Sequence, residues 1–322
     1  MNIPKGTLAA VSGLSLSGLG LYVAFRGLAL ADVGRSLGTL HVPPLLFAAV
    51  PIATGAALRA LRWNVLARSR SFGPSLETVC VSAFFNGILP LRAGEVLRPL
   101  YFARRTGSPL ANAVAAALAE RILDLVTLAA FGAFLFSGST FGQRVPTLVL
   151  VGGAAALLAL AALGTTRLRG GSLRPDASRG MRFLAETVRA LSVAGSPSRL
   201  GAAVTLSAAM WLVTAWPFVL GLEAAGVQAS FRDGVWILLA VTFAIALPSS
   251  PGFFGTFHAG FVLGAGALGI LESRALPAAI ATHLLLQIPF VLAGAVILAA
   301  GGRRLLTGRQ GDADIPEDER LS

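Results

Sequence analysis

Residues 86–98 read Asn86-Gly87-Ile88-Leu89-Pro90-Leu91-Arg92-Ala93-Gly94-Glu95-Val96-Leu97-Arg98, and the first of them close an apolar block at 76–91. A helix needs about 20 apolar residues to cross some 30 Å of hydrocarbon, so this block is short. Four arginines precede it in the stretch 59–75 (Arg59, Arg62, Arg68, Arg70), and four follow in 92–109 (Arg92, Arg98, Arg104, Arg105). A full crossing would put one of these basic stretches, both expected to be loops, on the outside, against the positive-inside bias. The block is therefore expected to be re-entrant, dipping into a membrane and returning to the cytoplasmic side. Irregular backbone at that depth is tolerated only where protein or a water-filled cavity satisfies it, so the Gly and Pro there point to a cavity.

The rest of the chain agrees with a membrane setting. Of its 322 residues 55% are hydrophobic and 13% charged, its mean hydropathy is +0.76, and a soluble chain carries about 25% charge. Further apolar blocks lie at 8–25, 43–61, 110–136, 146–164, 200–221, 234–247, 253–271 and 277–300. The short alternating segments of a β-barrel are absent. The fold class expected is an all-α integral membrane protein, a polytopic helical bundle with two re-entrant or broken elements. The net charge of +11 comes almost wholly from arginine, Lys5 being the only lysine. Arginines set between apolar blocks suit an anionic leaflet rather than nucleic acid. Cys80 is the only cysteine, which rules out a disulfide framework. Residues 1–31 imitate a signal peptide, but the apolar run is long and Arg26 interrupts the cleavage region, so an uncleaved first helix is expected.

Seven arginines in 165–199, and Arg303, Arg304 and Arg309 in 301–322, place those stretches inside as well, with both termini cytoplasmic and the chain in a cell inner (cytoplasmic) membrane. Segment 277–300 then supplies the last net crossing. This leaves 234–271 as a hairpin broken at Pro248-Ser249-Ser250-Pro251-Gly252, with two full crossings as the alternative. Each half thus holds a broken element followed by a polar-striped spanning helix, in opposite orientation, as in the inverted repeats of secondary transporters. The expected organisation is one domain over 1–307: a first half at 1–164, an interfacial stretch at 165–199 and a second half at 200–307. Within 178–193, Met181, Leu184, Val188 and Leu191 share one helical face, opposite Arg182, Glu186 and Arg189, as on a helix resting at the interface. The polar tail 308–322 is expected to be disordered.

Charges inside membrane helices cost about 2.5–3.5 kcal/mol each on insertion scales, so each needs a reason. Glu120, Arg121 and Asp124 share a face of block 110–136, since residues three or four apart are neighbours on a helix. Arg92, Glu95 and Arg98 follow the Pro90 break directly. Arginines there can hold a phosphate bidentately, with Glu95 balancing charge or taking up a proton. The other reading of these charges is a structural ion pair that fixes helix packing. In the second half, His258 and His283 are 25 residues apart, the same interval as Glu95 to Glu120. Two histidines without nearby carboxylate or cysteine partners do not make a metal site.

The 86–98 stretch, Glu120-Arg121 with Asp124, and Pro248-Ser249-Ser250-Pro251-Gly252 with Gly255, taken in order, resemble the lysylphosphatidylglycerol synthase transmembrane-region family, as a stand-alone member. The likeness runs from about residue 8 to 300. It implies a flippase-like domain that moves a phospholipid or related polar lipid between leaflets. It also implies substrate-binding roles for Arg92, Glu95, Arg98, Glu120, Arg121 and Asp124, with Asn86, Pro90, Gly94, Pro248, Pro251, Gly252 and Gly255 as structural or hinge positions. The family pattern usually has an acidic residue at His258 and an arginine at His283. Both departures fall on the second half-site and are carried as binding candidates.

The expected function is therefore a lipid flippase or lipid-binding transporter for a polar, anionic lipid. No catalytic residue, cofactor or metal is expected, and the partners are a membrane phospholipid and a lipid-modifying enzyme, with no nucleic acid. The alternative is a membrane-embedded enzyme or accessory subunit acting on lipid-linked substrates, with Glu95, Asp124 or His258 as general base.

Overall fold

Pro43 and Pro44 sit in the first turn of a short helix, where a missing N–H costs nothing, and this helix leads through Ala48 into the first long one. The computed structural model describes residues 30–89, 92–135, 196–246 and 250–302, with scattered positions at 15–22 and 180–187. Every regular element among them is helical. In chain order they are α1 (Leu30–Gly38), α2 (Val42–Phe47), α3 (Ala49–Ala67), α4 (Phe72–Ile88), α5 (Ala93–Thr106), α6 (Leu110–Leu135) and α7 (Pro197–Ala224). There follow α8 (Phe231–Ala246), a 3-10 turn (Pro251–Phe253), α9 (Thr256–Ala267), α10 (Glu272–Ile297) and a π-helical turn (Leu298–Gly302). The expected spans at 8–25 and 146–164 and the tail fall largely or wholly outside the described residues, as do Pro90 and Pro248. At 180–187 the described residues are helical, with Arg182 and Glu186 exposed, while Met181, Leu184, Val188 and Leu191 fall outside them.

Two expectations are corrected. The basic stretch 92–109 is not a loop, because most of it forms α5. Arg59 and Arg62, placed by the sequence in a basic loop, lie inside α3, which ends only where Arg68 turns left-handed (φ 58°).

A pattern of long helix, packed pair of short helices and long helix occurs twice, as α3, α4–α5, α6 and then α7, α8–α9, α10. The packing repeats with it. α3 lies on α7 at the centre, α3 touches α4 and α6 as α7 touches α8 and α10, and α4 crosses to α10 as α8 crosses to α6. Among the described residues, three helical stretches are long and apolar enough to cross a membrane: Val42–Ala67, Pro197–Ala224 and Glu272–Gly301. α6 has a comparable 26 residues but carries Glu120, Arg121 and Asp124. The paired helices have 17, 14, 16 and 12 residues, or about 18–26 Å at 1.5 Å per residue, less than the hydrocarbon thickness.

Polarity is distributed as a membrane requires. Phe47, Val50, Val96, Phe243 and Val296 are exposed, whereas Arg62, Arg98, Glu120, Asp124, His258 and His283 are buried. Small residues bring the helices together where apolar attraction to lipid would not distinguish them. A Cβ on Gly294 of α10 would collide with the Cys80 carbonyl of α4, and one on Gly94 of α5 with the Ser82 carbonyl of α4. At the N-terminus of α8, the Ser230 N–H donates to Asp233 Oδ2 (2.8 Å) and the Asp233 N–H to Ser230 Oγ (3.3 Å), satisfying groups the helix itself leaves unpaired.

Candidate functional site

The two breaks in the short pairs meet. Leu89 is extended (φ −107°, ψ 142°) and Arg92 is left-handed (φ 54°) immediately before α5, a costly conformation for a residue with a Cβ. Asn86 closes the first break by accepting the Gly94 N–H at 2.9 Å. In the second break Pro251 begins the 3-10 turn, and Gly252 (φ 67°), Phe253 (φ 60°) and Gly255 (φ 86°) all have positive φ. Arg92 Nη2 reaches across to donate to the Ile245 carbonyl of α8 at 2.7 Å, and its guanidinium lies 5.4 Å from the Phe253 ring centroid. One arginine thus fastens the start of α5 to both sides of the second break.

Behind the first break, a buried charge network joins four helices. Arg62 of α3 donates through Nη1 to Asp124 Oδ1 (2.6 Å) and Ser207 Oγ (3.1 Å), and through Nη2 to Glu120 Oε1 (3.1 Å). Arg98 of α5 takes the other Glu120 oxygen at 2.7 Å and stacks over Trp63 at 4.1 Å. The Trp211 indole of α7 donates to Asp124 Oδ1 at 2.9 Å. Arg62 and Glu120 are each only 1% exposed. A buried carboxylate is tolerable only with such partners, so Glu120 and Arg62 clamp α3, α5 and α6 together. Arg121 differs: its side chain is 47% exposed and sits at longer range, 3.4 Å from Glu95 Oε2 and 3.5 Å from Asp124 Oδ2.

The charged groups front a cavity of about 450 Å³. Arg92, Glu95, Arg98, Arg121 and Asp124 are in its lining, together with the apolar Phe253, Phe257, Leu286 and Phe290. His283 and Gln287 also line it, while Glu120 is joined to the lining through Arg62 and Arg98. His258 packs against His283, with ring centroids 5.0 Å apart, and His283 stacks on Phe257 at 4.4 Å. Neither ring nitrogen of His283, nor Nδ1 of His258, nor the Gln287 amide nitrogen has a hydrogen-bond partner among the described residues. The second half-site is therefore an aromatic cluster with unspent polar edges, whereas the first is a set of guanidiniums and carboxylates.

The cavity lining brings together six of the eight binding candidates, Arg92, Glu95, Arg98, Arg121, Asp124 and His283, and adds Arg59 and Arg62, which the sequence did not single out. Their signal was present: Arg59 and Arg62 are three apart and continue the face of Gly55 and Ala56, which are buried in α3. The family model for the lysylphosphatidylglycerol synthase TM region matches residues 10–294. No curated protein sequence matches the chain at a significant level.

Proposed function

The chain belongs to the lysylphosphatidylglycerol synthase TM-region family, and from that premise we propose that it is a lipid flippase or lipid-binding transporter that moves a polar, anionic lipid between the leaflets of the cytoplasmic membrane. The observation that carries this reading is the mixed lining of the cavity: arginines together with phenylalanines suit an amphiphile with an anionic head. Guanidinium groups hold phosphate through paired hydrogen bonds. The short helix pairs α4–α5 and α8–α9, each too short to cross, support two re-entrant elements meeting at that cavity. The repeated packing order supports an inverted repeat, in which one half rocks against the other around a fixed site.

Transport by this route needs no bond made or broken. The charged groups hold and desolvate the head group in the cavity, and movement of the halves changes the leaflet to which it opens. Quantitative lipid analysis of the purified protein tests the binding step. Anionic phospholipid should be enriched over the host membrane with the wild type and depleted with Arg121→Lys. A lipid profile equal to that of the host membrane would remove the support.

A further inference from the structure

The charges around the cavity are not all spent on one another. Arg62 and Arg98 are held by Glu120 and Asp124, and Arg121 is matched by Glu95. Arg59 and Arg92 also line the cavity, and neither has an ion pair within 4 Å among the described residues. Arg59, inside the spanning helix α3, makes no hydrogen bond among the described residues either, and it is only partly exposed. Buried donors stand unspent beside them: Nε of Arg92, and Nε and Nη2 of Arg98, which is 4% exposed.

We infer that this site selects a doubly charged phosphate head group, a lipid phosphomonoester, and that Arg59 with Arg92 is its anchor. A guanidinium offers five N–H donors in a fixed fork, and two of them neutralise two charges. A phosphomonoester above its second ionisation, at about pH 6, carries nearly two charges and three acceptor oxygens. A phosphodiester has one charge and two such oxygens, and would leave one guanidinium unmatched at membrane depth. The presence of Phe253, Phe257 and Phe290 in the same lining argues for a lipid rather than free phosphate. The inference rests on the transport reading and narrows its substrate.

The test measures the affinity of the purified full chain in nanodiscs for three probes: dihexanoyl phosphatidic acid, dihexanoyl phosphatidylglycerol and glycerol 3-phosphate. At about pH 8 the wild type should prefer phosphatidic acid over phosphatidylglycerol by about tenfold or more, the worth of one charge-assisted hydrogen bond. That preference should collapse at about pH 5, where the monoester is singly charged. It should also collapse in Arg59→Gln, and be partly kept in Arg59→Lys. Variants are compared only where their melting temperatures match the wild type, and Arg92→Gln provides the same test from the other anchor. Equal affinity for the two lipids in the wild type, or a preference kept in both Gln variants, would overturn the inference. Binding of glycerol 3-phosphate as tight as phosphatidic acid would overturn the lipid part of it. Leaflet exchange of phosphatidylglycerol without any dianion preference would leave transport standing and this inference refuted, whereas no lipid binding and no exchange would remove both.

Discussion

Arg62 and Arg121 are both arginines beside carboxylates, yet the structure gives them different work. Arg62 is 1% exposed and is spent on Glu120, Asp124 and Ser207, so Arg62→Met leaves two buried carboxylates short of a partner. Removing one member of a buried ion pair costs about 3–5 kcal/mol, and a clearly lower melting temperature in detergent is expected. A melt equal to the wild type would show that the network does not hold α3 to α6. Arg121 is half exposed with only long contacts. Arg121→Lys should keep the melting temperature and lose lipid retention, because an ammonium cannot make paired hydrogen bonds. Co-purifying anionic lipid checks this, and full retention would contradict it. From sequence, Glu120 and Asp124 stood out because a charge in an apolar run needs a reason. Their chief partner did not: Arg62 lies near a helix end, where hydropathy reads arginine as a loop residue.

At the scale of elements, the pair α4–α5 depends on a backbone approach that only glycine permits. A Cβ on Gly94 would overlap the Ser82 carbonyl and crowd the Asn86 side chain that accepts the Gly94 N–H. Gly94→Val should therefore destabilise by about 1–3 kcal/mol, the range for overpacking. It should also push α5 away from α4, measurable as a lower melting temperature together with faster thiol labelling of buried Cys80. Unchanged labelling would mean that the pair tolerates the side chain. The break after Ile88 was readable because Asn, Gly and Pro interrupt an apolar run, but α5 after it was not. That helix buries Arg98 and leaves Val96 77% exposed. An apolar residue faces out and a charge faces in, so rules tuned to water-facing helices read its sequence as a basic loop.

For the whole molecule, the arginine distribution predicts sidedness. Single cysteines at Arg70 and Arg104 on a Cys80→Ala background should be shielded from an impermeant thiol reagent applied outside intact cells, and should label after permeabilisation. External labelling at either position would refute the re-entrant path of α4–α5. Of the twofold order, the sequence showed two breaks, each followed by a long polar-striped helix, but not the helix α5 that completes the first short pair. The contact of the breaks through Arg92 and Ile245 was not legible, because residues 153 positions apart carry no pattern linking them. The central claim is that an anionic lipid changes leaflet through this cavity, and leaflet exchange in vesicles containing the purified protein tests it most directly. A fluorescent anionic phospholipid quenched from outside should be lost beyond the outer-leaflet half with the wild type. Exchange should fall to the protein-free rate with Glu95→Gln and Arg121→Lys, both confirmed folded by their melts. Exchange by the wild type no faster than in protein-free vesicles, or equal exchange by all three proteins, would contradict the account.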